Sequence, residues 1–140
     1  MPYINTKTNI TITKLQEEEI TSRLGQAVSC LGKSERYLMV NMEDHCRLYF
    51  AGDTTEPAAF VEVRLFGKAS AKAFDAMTKE VTDIVSDVLG ICGSRIYVQY
   101  EEVPHWGWNG SNFCSEEGRL ADGPDGPSAI SDIAADAASR

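Results

Sequence analysis

Residues 2–42 and 58–101 run through the same order of patterns twice, and that repetition limits what the chain can fold into more than any single motif. An extended run at residues 2–8 passes through Thr11-Ile12-Thr13, where the apolar period changes. From Leu15, the residues Ile20, Leu24, Ala27, Val28 and Leu31 keep to one helical face, while Glu17, Glu18 and Arg23 largely avoid it. Thr13 and Gln16 have the spacing of a capping box, and Gly32 stands where a helix ends in a left-handed turn. Residues 37–42 then read as a second strand. An offset of 58 sets Pro2 on Phe60 and Gly32 on Gly90, and the pattern starts again. Residues 58–66 read as a strand with Val61, Val63 and Leu65 on one face and Phe60, Glu62, Arg64 and Phe66 on the other. Residues 70–89 read as a helix whose apolar face carries Phe74, Met77, Val81, Ile84, Val85 and Val88, closed by Leu89-Gly90 as Leu31-Gly32 closes the first; residues 95–101 are the fourth strand.

A strand, helix, strand unit of this length normally makes a right-handed crossover between parallel strands. Two copies predict an α+β fold: a two-layer sandwich of two pseudo-symmetric β-α-β units, with a four-stranded mixed sheet and two helices on one face. A further short strand is expected near residues 47–51, and a loop at 52–57. Two helices cover only one side of such a sheet. Apolar side chains are expected on the other side as well, so a second copy of the chain is the economical cover and the reading predicts an obligate oligomer.

With 140 residues there is room for one core. No apolar run approaches the roughly 20 residues of a membrane span, and the polar start lacks the features of a secretory signal, so a cytoplasmic protein without membrane contact is expected. The net charge of -8, with no clustered Lys or Arg, argues against nucleic acid as a partner. Half of that charge falls in residues 115–140, which hold six acids and two bases. That stretch, rich in Gly, Pro, Ala, Ser and Asp, is expected to be a flexible acidic tail behind a domain at 1–114. Cys30, Cys46, Cys92 and Cys114 form no Cys-x-x-Cys pair and match no metal spacing, so they read as reduced thiols, with Cys30 and Cys92 as small core residues near helix ends.

Two stretches point to chemistry. Initiator Met is normally removed when Pro follows, which leaves Pro2 with a secondary amine at the head of a strand. Unlike a mid-chain proline nitrogen, that amine is basic, and desolvation or a nearby cation brings its pKa from roughly 8 toward the range of a general base at neutral pH. Residues 103–113 hold Trp106, Trp108 and Phe113 among glycines. They read either as a cap on the core or as the aromatic wall of a pocket or interface.

Met1-Pro2 before a strand, Leu31-Gly32-Lys33 before Tyr37, Thr55-Glu56-Pro57, Arg95-Ile96-Tyr97 and Gly107-Trp108-Asn109-Gly110-Ser111-Asn112-Phe113, in that order, resemble the macrophage migration inhibitory factor family of the tautomerase superfamily over residues 2–113. The resemblance implies a homotrimer with sheets around a central channel, short extra strands for trimer contacts, and an active site at each subunit boundary. It implies a cofactor-independent, metal-free keto-enol tautomerase for phenylpyruvate-like aryl 2-oxo acids or dopachrome. Pro2 is then the general base, and Lys33 pairs with the substrate carboxylate while disfavouring protonation of Pro2. The backbone around Phe66 binds substrate, and Tyr97 and Gln99 enter from the neighbouring subunit. Tyr3, Tyr37, Trp106, Trp108 and Phe113 supply the apolar enclosure. Gln99 stands where animal members commonly have Asn, Phe66 where Ile is usual, and Ala58 and Val61 replace the Cys-x-x-Cys associated with thiol oxidoreduction. The tail lies beyond the usual family end and is expected to tune access to the pocket. The competing class is a cytokine-like protein secreted without a signal peptide and recognised by a host receptor; a binding scaffold without useful turnover is a third reading.

Overall fold

The computed structural model describes residues 1–115, so the expected acidic tail lies outside the described residues apart from Ser115. Its sheet has β1 (Pro2–Thr8) and β3 (Ala59–Phe66) at the centre, flanked by β2 (Met39–Glu43) and β4 (Ile96–Val103) in the order β2-β1-β3-β4. β1 runs parallel to β2 and antiparallel to β3, while β3 and β4 are parallel. The helices α1 (Lys14–Ala27) and α2 (Ala71–Leu89) pack on one face and against each other. This is the mixed α+β sandwich expected from the repeat.

The two units begin their strands at Pro2 and Ala59, their helices at Lys14 and Ala71, and their second strands at Met39 and Ile96, each pair 57 apart. The helix-ending glycines, Gly32 and Gly90, are 58 apart and both left-handed. The extra residue has a geometric account. Beyond Ala27 the first helix continues as a 3-10 turn, Val28–Leu31. With ~2.0 Å of rise per residue in that turn against ~1.5 Å in an α-helix, the first unit spans about the same length as α2 with one residue fewer.

Thr13 caps α1 as a full capping box: its hydroxyl accepts from the Gln16 N–H, and the Gln16 side chain accepts from the Thr13 N–H. Ser70 accepts from the Ala73 N–H at the start of α2. Ile4, Val61, Val63 and Ile96 of the sheet meet Ile20, Leu24 and Val28 of the first helix and Met77, Val81, Ile84 and Val85 of the second in one buried cluster.

The open face of the sheet carries apolar side chains at Met39, Phe60 and Tyr97, as expected, but also a polar network that the sequence reading did not anticipate. Asn5 is buried there, its Nδ2 donating to Glu43 Oε2 at 2.8 Å and Glu62 Oε1 at 3.0 Å, while its Oδ1 accepts from Asn41 Nδ2 at 3.0 Å. Lys7 and Arg64 flank Glu62 at 3.3 and 3.9 Å. The side chains that alternate with the core residues are thus mainly a polar network, with Met39 and Tyr97 as its large exposed apolar members.

Residues 47–51 form no strand. Ala51 and Gly52 have positive φ, 51° and 79°, and turn the chain back so that Phe50 pairs with Asp53 in a single bridge. The following loop is held from two sides. Arg95 donates to the carbonyls of Asp53, Glu56 and Pro57, and Asn9 donates to those of Thr54 and Glu56. The Thr55-Glu56-Pro57 and Arg95 motifs are therefore two halves of one structural clamp. All four cysteines are free thiols. Cys30 packs against the core, but Cys92 is exposed with its Sγ 3.1 Å from Ser94 Oγ, because the fully buried Ile91 takes the core position beside it.

Residues 103–113, read above as a core cap or an aromatic wall, belong partly to a hairpin of β5 (His105–Trp108) and β6 (Ser111–Cys114). Asn109 and Gly110 both have positive φ, 51° and 82°, as a two-residue type I′ hairpin requires. Asn-Gly was the signal in the sequence that could have identified it.

Candidate active site

Four segments converge on the start of the chain. Pro2 is buried at the head of β1, opposite Leu65 of β3. One residue on, Phe66 ends β3 fully buried, its N–H donating to the Met1 carbonyl at 3.3 Å. Lys33 follows the left-handed Gly32 and turns inward, its Nζ donating to the Phe66 carbonyl at 3.0 Å. The Glu35 side chain of the following segment packs over Gly25 of α1, where a Cβ would displace its carboxylate. The 3-10 turn Glu35–Tyr37 then delivers Tyr37 to the same corner.

The hairpin supplies the aromatic side. Tyr37 meets Trp108 edge to face with centroids 5.4 Å apart, and Phe113 lies 6.3 Å from Phe66 and 6.5 Å from Trp108. Trp106 packs against the same cluster. The Met1 side chain is only 7% exposed and fills the middle of this box. Tyr37 brings a buried hydroxyl that has no hydrogen-bond partner among the described residues.

A cavity of about 770 Å³ opens at this corner. Among the residues expected for a site, Pro2, Tyr3, Tyr37, Trp106 and Trp108 line it. Lys33, Phe66 and Phe113 support its floor without bordering the opening. Tyr97 and Gln99 do not reach it within one chain. Both are exposed, and Tyr97 packs instead against Phe50 and Phe60 with centroids 5.3 and 6.4 Å away. Arg36, Arg64 and Glu101 line the cavity and were missed from the sequence. The β-strand alternation held part of the signal: Arg64 is the cross-strand partner of both Tyr3 and Glu101.

The corner disfavours positive charge. Burial, and then the Lys33 ammonium, lower the Met1 amine from its ordinary value of 8.0 to about 5, and burial also lowers Lys33. An amine here is neutral at pH 7 and can accept a proton. The arrangement therefore joins a site for a neutral amine, a nearby cation and an aromatic enclosure. No group of three or more His, Cys, Asp or Glu suited to a metal occurs among the described residues.

Comparison with known proteins covers this whole domain. The family model described as macrophage migration inhibitory factor (MIF) matches residues 1–114. The rat macrophage migration inhibitory factor is 30% identical over 119 aligned residues, covering 81% of this chain and all of that protein. The crystal structure of Leishmania major MIF2 superimposes with a TM-score of 0.76 at 31% identity, covering 81% of this chain and 97% of that one. The macrophage migration inhibitory factor homologue of Prochlorococcus marinus gives a TM-score of 0.69, also at 31% identity, over 79% of this chain and 98% of its own.

Proposed function

The chain belongs to the macrophage migration inhibitory factor family, and from that premise we propose that it is a cofactor-independent keto-enol tautomerase of phenylpyruvate-like aryl 2-oxo acids. The observation that carries the proposal is the burial of Pro2 at the head of β1, in an aromatic-walled cavity whose electrostatics hold an amine neutral. Excision of Met1 moves the amine to Pro2 and empties the aromatic box. It also frees the Phe66 N–H now given to the Met1 carbonyl.

In the forward direction Pro2 takes a proton from C3 of the keto acid, the C2 carbonyl becomes an enolate oxygen, and a proton returned to that oxygen gives the enol. Lys33, whose charge already acts on the Met1 amine, pairs with the substrate carboxylate once Met1 is gone and helps to keep Pro2 unprotonated. The ring lies among Tyr37, Trp106, Trp108 and Phe113. Tyr97 and Gln99 come from a neighbouring subunit of a trimer, a placement supported by their distance from their own chain's cavity and by a polar open sheet face suited to a water-filled channel.

The test is phenylpyruvate turnover by protein whose intact mass proves the loss of Met1, beside Pro2→Gly and a sample that retains Met1. The processed wild type is expected to be faster than either by about 10²- to 10⁴-fold, the usual range for general acid-base catalysis. Equally slow rates in all three would overturn the assignment.

A further inference from the structure

Arg36 and Arg64 border the same cavity as Pro2 and have no part in the chemistry proposed above. Arg64 is already satisfied: its Nε lies 3.4 Å from Glu101 Oε1, and its guanidinium sits 5.7 Å over the Tyr3 ring. Arg36 differs. It is exposed on the 3-10 turn one residue before Tyr37, and it has no ion-pair partner among the described residues. An uncharged aryl ring entering between Tyr37, Trp106 and Trp108 would offer that guanidinium no acceptor. An acidic group on the far side of the ring would give the guanidinium a charge-assisted contact.

We propose that Arg36 forms a second anion subsite, and that the preferred substrate is a doubly acidic aromatic 2-oxo acid, with one carboxylate toward Lys33 and the second acid on the ring toward Arg36. Arg64 is neutralised by Glu101, which lines the same wall, so the subsite's positive charge comes from Arg36. This rests on the tautomerase reading for the chemistry but not for the binding.

The experiment compares kcat/KM for phenylpyruvate and 4-carboxyphenylpyruvate in Met1-free wild type, Arg36→Gln and Arg36→Lys. Wild type is expected to favour the doubly acidic substrate by about tenfold, the scale of one charged hydrogen bond. Arg36→Gln should abolish that ratio and Arg36→Lys should restore part of it. Equal kcat/KM in wild type, or an equal fall for both substrates in Arg36→Gln, overturns the subsite and leaves the tautomerase standing. If neither acid is turned over, equilibrium binding of terephthalate against benzoate decides. Tighter terephthalate binding that is lost in Arg36→Gln upholds the subsite although the enzymatic reading fails; equal binding rejects it.

Discussion

Lys33 reaches the reactive corner because its Nζ is fixed by the Phe66 carbonyl at 3.0 Å, so its charge acts on a neighbouring amine from a defined place. A base lowered in this way must be unprotonated to work. On the proposed mechanism, turnover is expected above the pKa of the Pro2 amine and is lost as pH falls through it. Lys33→Met removes the cationic contribution but leaves the burial, so the amine pKa rises and the acidic limb of the kcat/KM profile moves to higher pH. A profile that keeps its position in Lys33→Met would show that burial alone depresses the amine. At this scale Pro2, Lys33 and the tryptophans were legible because each carries an unusual chemical signature. Arg36 and Arg64 were not, since an arginine on a turn or a strand reads as solvated until a cavity wall passes beside it.

Each helix begins with a side chain that replaces a missing backbone acceptor, but the two caps differ in strength. Thr13 and Gln16 satisfy two N–H groups reciprocally, and the Gln16 Nε2 also donates to the Val88 carbonyl of α2 at 3.3 Å. Thr13→Ala is expected to cost about 1 kcal/mol, seen in urea denaturation as a lower midpoint with an unchanged slope. An unaltered midpoint would mean that the packing of α1 on the sheet holds its first turn without the cap. These elements were legible because period, caps and closing glycines all agreed. Three details were not. The turn at Ala51-Gly52 depends on positive φ at an alanine, which no local rule favours. The exposure of Cys92 depends on Ile91 winning the core site. The polar network of the open face was not legible, because the hydrogen bonding of Asn5, Asn41, Glu43 and Glu62 becomes visible only in the strand register.

The proposed completion of the site across a subunit boundary makes a prediction that no single chain can satisfy. Pro2→Gly and Gln99→Ala proteins, unfolded together in equal amounts and refolded, should form trimers in which about a quarter of the boundaries pair an intact Pro2 with an intact Gln99 if assembly is random. The mixture should then exceed the mean activity of its parents, with sedimentation confirming the assembly. Activity at that mean would place each site within one chain. The position of the first strand carries a different consequence, one of timing. β1 is synthesised first yet lies between two partners, and its pairing with β3 waits until residue 66 has been made. At roughly 5–20 residues per second, that is an interval of several seconds. The wall around Met1 is complete only after Trp106 and Trp108 of the hairpin have been made as well. A chain whose fold closes before excision is then expected to keep its methionine as a permanent record, readable in the intact mass of the purified protein.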